Sequence, residues 1–346
     1  MNKITASIIG GSGYVGGELL RILLRHPAVR IEQVTSERFA KKPISFLHPH
    51  LRKKTDLKFS SLTDLKECDL IFSCLPHGEL AKKYSNVRQK CQKLIDLSAD
   101  FRLRDPEDYK KYYSISHPLP EKLTSFVYGI AELHREEIRR ADEVACAGCN
   151  ATVSILGLYP LFSSGIARDA SLVIEVKVGS SEAGRKITPY SHHPERAHTV
   201  RAFKPVGHRH TAEIVQELRI DNPSLCHLSV TSVDLVRGAS ALAHILLSKE
   251  VTEKELWQIY RESYAGEPFI RIVKDASGRL PEPKGVVGSN YCDIGFAKDP
   301  FSNRVVIISV IDNLIKGAAG QAIQAMNLMY GIKETEGLED IALYPL

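Results

Sequence analysis

No apolar run in this chain approaches the ~20 residues a membrane-spanning helix needs, so a bilayer span is not expected. The opening MNKITASIIGGSG has no signal-peptide pattern, because its short apolar stretch runs straight into a glycine loop. A cytoplasmic location is the expectation. The seven cysteines are odd in number and scattered along 346 residues, which argues against a disulfide framework and for thiols, several of them buried. There is no internal repeat and no low-complexity linker. The formal net charge is only +5, and neither nucleic acid nor a membrane is expected as a partner.

What is present describes a soluble globular protein, 43% hydrophobic and 25% charged, long enough for two lobes. Residues 3–9, 29–35, 69–75 and 94–98 read as short buried strands alternating with helical segments, which predicts an α/β lobe with a doubly wound parallel sheet. After Cys149 the texture changes. Residues 172–181, 225–236, 241–248 and 304–314 look like longer alternating strands, predicting a second, α+β lobe on a mostly antiparallel sheet. A last helical stretch, 316–332, carries small and apolar residues and is expected to fold back onto the first lobe. The domains expected are 1–149, completed by a C-terminal helical segment 313–346, and 150–312.

Gly10-x-x-Gly13-x-x-Gly16 sits between a strand and a helix, the context of a dinucleotide fingerprint. The glycines let backbone approach a pyrophosphate, and the helix N-terminus supplies N–H groups and positive potential. A tight turn without ligand is the plain alternative. Ser36, Glu37 and Arg38 follow the second strand, where an NAD enzyme usually places an acidic residue for the ribose hydroxyls. Here a hydroxyl and a guanidinium stand beside Glu37, and NADPH is the expected cofactor; simple solvation is the alternative for Arg38.

Ala147-Gly148-Cys149-Asn150 precedes an apolar helical run, which would seat Cys149 at a helix N-terminus. There the dipole favours the thiolate and main-chain N–H groups can hold an oxyanion, so the position suits a nucleophile. A plain buried cysteine is one rival. A redox or metal C-x-x-C pair with Cys146 is another, but no second such pair exists. Residues 185–210 hold six basic residues, with Glu195 the sole acid, and five histidines. This density fits an anionic substrate or partner better than a solvated face. A metal site there would have no cysteine and, Glu195 apart, no acidic co-ligand, and the spacings match no familiar site, so none is expected. His208 and His210 are both candidates for a general acid or base, and Thr211 for the cap of the helix that follows.

The motifs G-x-S-G-Y-V-G at the start, DLSADFRLRDP at 96–106, AGCNAT at 147–152, GHRHTAE at 207–213 and IDNLIKGAAGQA at 311–322 together resemble the N-acetyl-γ-glutamyl-phosphate reductase family over nearly the full chain. That family is similar to aspartate-semialdehyde dehydrogenase. The resemblance implies a Rossmann domain plus a dehydrogenase-like α+β domain. It implies NADP contacts from Gly10, Ser12, Gly13, Tyr14, Val15 and Gly16, with Ser36 to Arg38 at the 2′-phosphate and Asn313 at the nicotinamide end. Cys149 would be the nucleophile and His208 or His210 the acid/base. Arg102, Ser180, Ser181, Arg196 and Arg201 would hold anionic groups of an acyl-phosphate substrate, Arg102 having a structural ion pair as its alternative. Relatives imply a homo-oligomer, dimer or tetramer. The basic stretch SHHPERAHTVRAFKP is longer than the family's usual segment. It resembles a subgroup acting on aminoadipyl or glutamyl phosphate linked to a small acidic amino-group carrier protein, in lysine and arginine synthesis. Reduction of that carrier-linked phosphate is the expected activity; reduction of free N-acetyl-γ-glutamyl phosphate is the alternative.

Overall fold

The structure, a computed structural model, describes residues 3–345. The chain divides into two compact units, Met1–Ala147 with Ala318–Glu339 and Gly148–Gly317 with Asp340–Leu346.

The first unit contributes β1 (Ile4–Ile9), β2 (Val29–Thr35), β3 (Phe59–Ser60), β4 (Cys68–Ser73), β5 (Cys91–Asp96), β6 (Val127–Tyr128) and β7 (Glu143–Ala145). They form one sheet in the order β3-β2-β1-β4-β5-β7-β6, every neighbouring pair parallel. Leu70, Ile71, Phe72 and Leu94, Ile95 are buried consecutively, as in a sheet covered on both faces. The helix Gly320–Met329 belongs to this unit and is buried along its whole length, against the helix Ala131–Arg140 and β5. Its polar side chains are satisfied. Gln321 Oε1 accepts from Ala147 N (2.6 Å), Gln324 Nε2 donates to Glu334 Oε1 (2.7 Å), and Asn327 Oδ1 meets His26 Nε2 at 3.1 Å.

The second unit contributes β8 (Ser171–Val178), β9 (Arg201–Lys204), β10 (Cys226–Ser232), β11 (Ala239–Leu246), β12 (Ile270–Ile272), β13 (Cys292–Lys298) and β14 (Arg304–Ile311). Their order is β12-β13-β14-β11-β8-β10-β9. The sheet is mixed, with parallel β8–β10 and β12–β13 pairs among antiparallel ones. β8 and β11 alternate strictly between buried and exposed or half-exposed positions, so one face is core and the other is open. The helix Cys149–Ser163 packs on the core face against β8, β11 and β14. Gly157 admits Ser309, whose Oγ would lie 2.6 Å from an added Cβ and donates to Val153 O at 2.6 Å. Pro160 lacks an N–H, so the Leu156 carbonyl one turn earlier loses its helical donor. The Tyr264 hydroxyl supplies one instead, at 2.5 Å.

Three local expectations are corrected. β9, β12 and β13 are strands that periodicity did not mark, being short or, in β13, buried on both sides. The helix assigned to 316–332 is a π-helical turn, Ile315–Ala319, followed by an α-helix only at Gly320–Met329. The helix expected to be capped by Thr211 spans His210–Leu218 and contains that threonine. His208 performs the capping, its Nδ1 accepting from His210 N at 3.1 Å. Among the described residues no helix is long and apolar enough to cross a membrane.

Candidate functional site

In the first unit, β1 ends at a glycine turn built for contact between main chains. Gly10 has φ +72°, and a Cβ there would stand 2.8 Å from the Cys74 carbonyl oxygen. A Cβ on Gly16 would meet Gly11 main chain at 2.6 Å. Gly11 N donates to Thr35 O (2.9 Å) and Gly10 N to Thr35 Oγ1 (3.2 Å), strapping the turn to the end of β2. Gly13 is the N-cap of the helix Tyr14–Leu23, no side chain caps that end, and nothing stands within 4 Å of an added Cβ at Gly13. The helix start, with no side-chain cap and an open approach at Gly13, suits a phosphate. Ser12 and Val15 are half-buried and Tyr14 is exposed along this rim. A cavity of about 560 Å³ lies beside it, bordered by Gly10, Ser36, Glu37, Leu62, Lys83 and Asn86. These residues fit an adenine dinucleotide.

At the β2 end, Ser36 is buried and its N–H donates to Ser60 O at 2.9 Å. Arg38 is exposed, with its guanidinium over the Phe39 ring at 5.3 Å. Glu37 turns aside: Oε1 accepts from Leu62 N at 2.7 Å and Oε2 from Ser61 Oγ at 2.8 Å. Those two donors, the Leu62 amide first, hold its carboxyl below the usual carboxylate range.

Arg102 lies buried in the same unit. Its Nε donates to Cys146 O (2.7 Å) and an Nη to Leu97 O (3.2 Å), so it ties main-chain segments together. Beside it Asp96 is fully buried, and burial, with Asp100 nearby, pushes its carboxyl up to about 7.

In the second unit, Cys149 is the first residue of the helix Cys149–Ser163, with Gly148 as an N-cap that has no side chain to close the helix end. Cys149 is half-buried, whereas burial holds the Cys146 thiol far above its ordinary value. The Cys149 Sγ lies 3.6 Å from Asn150 Oδ1. Gly148 N donates to Glu213 Oε2 at 2.9 Å. Glu213 is fully buried, and its other oxygen stands 3.8 Å from His210 Nε2. One carboxylate thus joins the residue before the thiol to an imidazole. The His208 ring packs edge-on against His210, with centroids 4.6 Å apart. Burial, then Arg209 and Lys204, push His208 down to about 4, and its Nδ1 lone pair is occupied by the cap.

Glu182 approaches from the other side, its Oε2 accepting from Asn150 Nδ2 at 3.4 Å. Burial raises its carboxyl to about 7, against the opposing pull of Asn150, Arg196 and Arg209. Arg196 donates to Val233 O (3.1 Å) and Val178 O (3.4 Å). Arg201 donates to Glu195 O (2.6 Å) and lies over the Tyr190 ring. Ser181 is buried and Ser180 half-buried in the turn after β8. Asn313 is buried between them and the chain, its Nδ2 donating to Ser181 Oγ (2.9 Å) and its Oδ1 accepting from Gly238 N (2.8 Å). Gly317, in the π turn, comes so near the thiol-bearing residue that a Cβ on it would stand 2.6 Å from Cys149 Cβ. Among the described residues no three His, Cys, Asp or Glu gather in a metal-holding group.

Sequence reading missed Glu213, Asn150, Glu182 and Gly317. Glu213 carried a signal, standing three residues after His210 on one helix face. Asn150 adjoins Cys149 in the chain, whereas Glu182 and Gly317 come from segments distant in sequence, and nothing in the local pattern marks those two.

A family profile described as "Semialdehyde dehydrogenase, NAD binding domain" matches residues 5–141, and one described as "Semialdehyde dehydrogenase, dimerisation domain" matches 149–313. The chain is 49% identical to the LysW-L-2-aminoadipate 6-phosphate reductase of Deinococcus radiodurans, covering 99% of each chain. It is 44% identical to the LysW-L-2-aminoadipate/LysW-L-glutamate phosphate reductase of Saccharolobus solfataricus, again over 99% of each. Its fold matches aspartate semialdehyde dehydrogenase II of Vibrio cholerae with a TM-score of 0.71 at 17% identity, over 96% of this chain and 99% of that one. The parallel dinucleotide-type sheet, the mixed-sheet unit with its helix-borne cysteine, and these full-length relatives place the chain in the semialdehyde dehydrogenase family, among the reductases of LysW-linked amino-acid phosphates.

Proposed function

We propose that this protein reduces an acyl phosphate of carrier-linked L-2-aminoadipate, and of L-glutamate carried the same way, to the semialdehyde with release of phosphate, using NADPH. One observation carries the reading: Glu213, on the helix His210–Leu218, accepts from the main chain before Cys149 with one oxygen and stands 3.8 Å from His210 with the other, which brings the imidazole's helix to the start of the thiol's. Cys149 attacks the acyl carbon, the helix N–H groups hold the developing oxyanion, and phosphate leaves a thioester. When bound, NADPH supplies the hydride that reduces this thioester. His210 donates the proton as the thiohemiacetal forms and takes one back as its C–S bond breaks to release the aldehyde. His210 is preferred over His208, because His208 stays neutral near pH 7 with Nδ1 already accepting a bond. Glu213 orients His210 and acts as a positioning residue.

Ser12 to Gly16, with Gly10, would hold the cofactor pyrophosphate, and Ser36 and Arg38 the 2′-phosphate. Arg196, Arg201, Ser180 and the exposed basic residues near β9 would receive the acidic carrier and its cargo by electrostatic complementarity. Asn313 serves by holding the Ser181 turn, and Arg102 by bracing main chain. The open face of the second sheet suits pairing of two copies, and the cytoplasm is the location we infer for this activity. Reaction rates on carrier-linked aminoadipyl phosphate and on free N-acetyl-γ-glutamyl phosphate test the reading. Faster turnover of the free compound, or carrier binding indifferent to salt, would overturn the carrier-linked assignment.

A further inference from the structure

Glu37 stands at the end of β2, where an acidic side chain ordinarily receives both hydroxyls of an adenosine ribose and so selects NAD. It borders the first unit's cavity along with Ser36 and Lys83. A carboxylate free to turn into that cavity would bind a ribose diol and repel a 2′-phosphate. Here both of its oxygens are already engaged, one by Leu62 N at 2.7 Å and the other by Ser61 Oγ at 2.8 Å. Leu62 also lines the cavity, so the tether forms part of its wall. Ser61 is itself held in place as the cap of the 3₁₀ turn Leu62–Asp64, its Oγ accepting from Thr63 N.

We propose that Ser61, together with the Leu62 amide, determines coenzyme choice by tethering Glu37 away from the ribose, leaving Ser36 and Arg38 to meet a 2′-phosphate. The inference rests on the NADPH reading given above. Ser61 touches no coenzyme in this scheme and acts through Glu37, as a specificity-positioning residue. A serine in a loop between two strands decides what the acid at the strand end would otherwise decide in the opposite sense.

The test is calorimetric titration of the apo full chain with NADP+ and with NAD+, separately, for wild type, S61T, S61A, E37A and the double variant S61A/E37A. S61A is expected to tighten NAD+ about three- to tenfold, the worth of one released hydrogen-bonding group, and to weaken NADP+. S61T keeps the hydroxyl and should behave as wild type. In S61A/E37A the gain for NAD+ should vanish, because the released carboxylate is gone. Wild type preferring NADP+ with S61A unchanged toward NAD+ would overturn the tether alone. Wild type preferring NAD+ would overturn the coenzyme assignment and this inference with it.

Discussion

The two units handle their ligand-facing chemistry with different parts of the chain. In the first, main chain sets the geometry: Gly10 and Gly16 bring backbone against backbone, and no side chain caps the start of the helix Tyr14–Leu23. In the second, side chains come together: Glu213 accepts from the main chain before Cys149 and stands by His210, while Glu182 accepts from Asn150. A dinucleotide phosphate is common to many reactions and is met by geometry alone. Acyl transfer needs a nucleophile, a proton carrier and a charge to orient it, which only specific side chains supply. Substitutions in one unit should therefore leave the other's property intact, and the following outcomes would break or sharpen that division.

The largest effect is expected from C149S, with reductase activity falling about 10⁴-fold while NADP+ binding by calorimetry stays at the wild-type value. Near wild-type turnover would remove Cys149 from the mechanism. Next, G317A places a methyl against Cys149 Cβ and should cost about 10²-fold in kcat through displacement of the nucleophile, again without weakening NADP+. A variant that lost cofactor affinity as well would show the units to be less separable than drawn.

G10A tests the opposite side. A Cβ at φ +72° and 2.8 Å from the Cys74 carbonyl should destabilise the first unit by about 1–3 kcal/mol and weaken NADP+. Alkylation of Cys149 by iodoacetamide should continue at the wild-type rate in the folded variant.

The smallest effect concerns pH. His208 is held near 4 in the fold, below its ordinary 6.5, so the native state binds fewer protons than the unfolded one between those values. Stability from this group is present above pH 6.5 and lost as pH falls towards 4. Glu182 and Asp96, raised to about 7, have the opposite slope, with stability falling as pH rises from their unfolded values towards 7. The wild-type curve is thus a compromise. The difference between wild type and H208N, by urea denaturation, should change with acidification across pH 6.5–4 by on the order of 3 kcal/mol. A pH-independent difference would contradict His208 being a neutral, buried cap.

Much of the fold was legible because it is written in short-range pattern. Short, largely apolar stretches around β1, β4 and β5 and strict alternation in β8 and β11 announced two kinds of sheet. β12 and β3 are too short for any period to emerge, and Cys292–Lys298 is buried at five consecutive residues, which erases the alternation expected of an antiparallel strand. The helix around His210 was misplaced because a histidine ring, not the threonine hydroxyl, caps it. Among the site residues, Cys149 stood out through its glycine and the apolar helix behind it. Asn313 stood out equally, and its amide makes one hydrogen bond to Gly238 and one to Ser181 within its own unit.

The order of residues alone determined that this chain makes a strand–glycine–helix turn and a cysteine-headed helix, since both depend on neighbours within a dozen positions. Which histidine stands by Glu213 and which accepts from main chain, what holds the Glu37 carboxylate, and that Gly317 must yield space to Cys149 were decided only on folding. Each of those depends on a partner brought from elsewhere in the chain: Glu213 or a main-chain amide, Ser61, and the π turn after β14. Side-chain charge state and direction are set by such contacts, and no local periodicity encodes them.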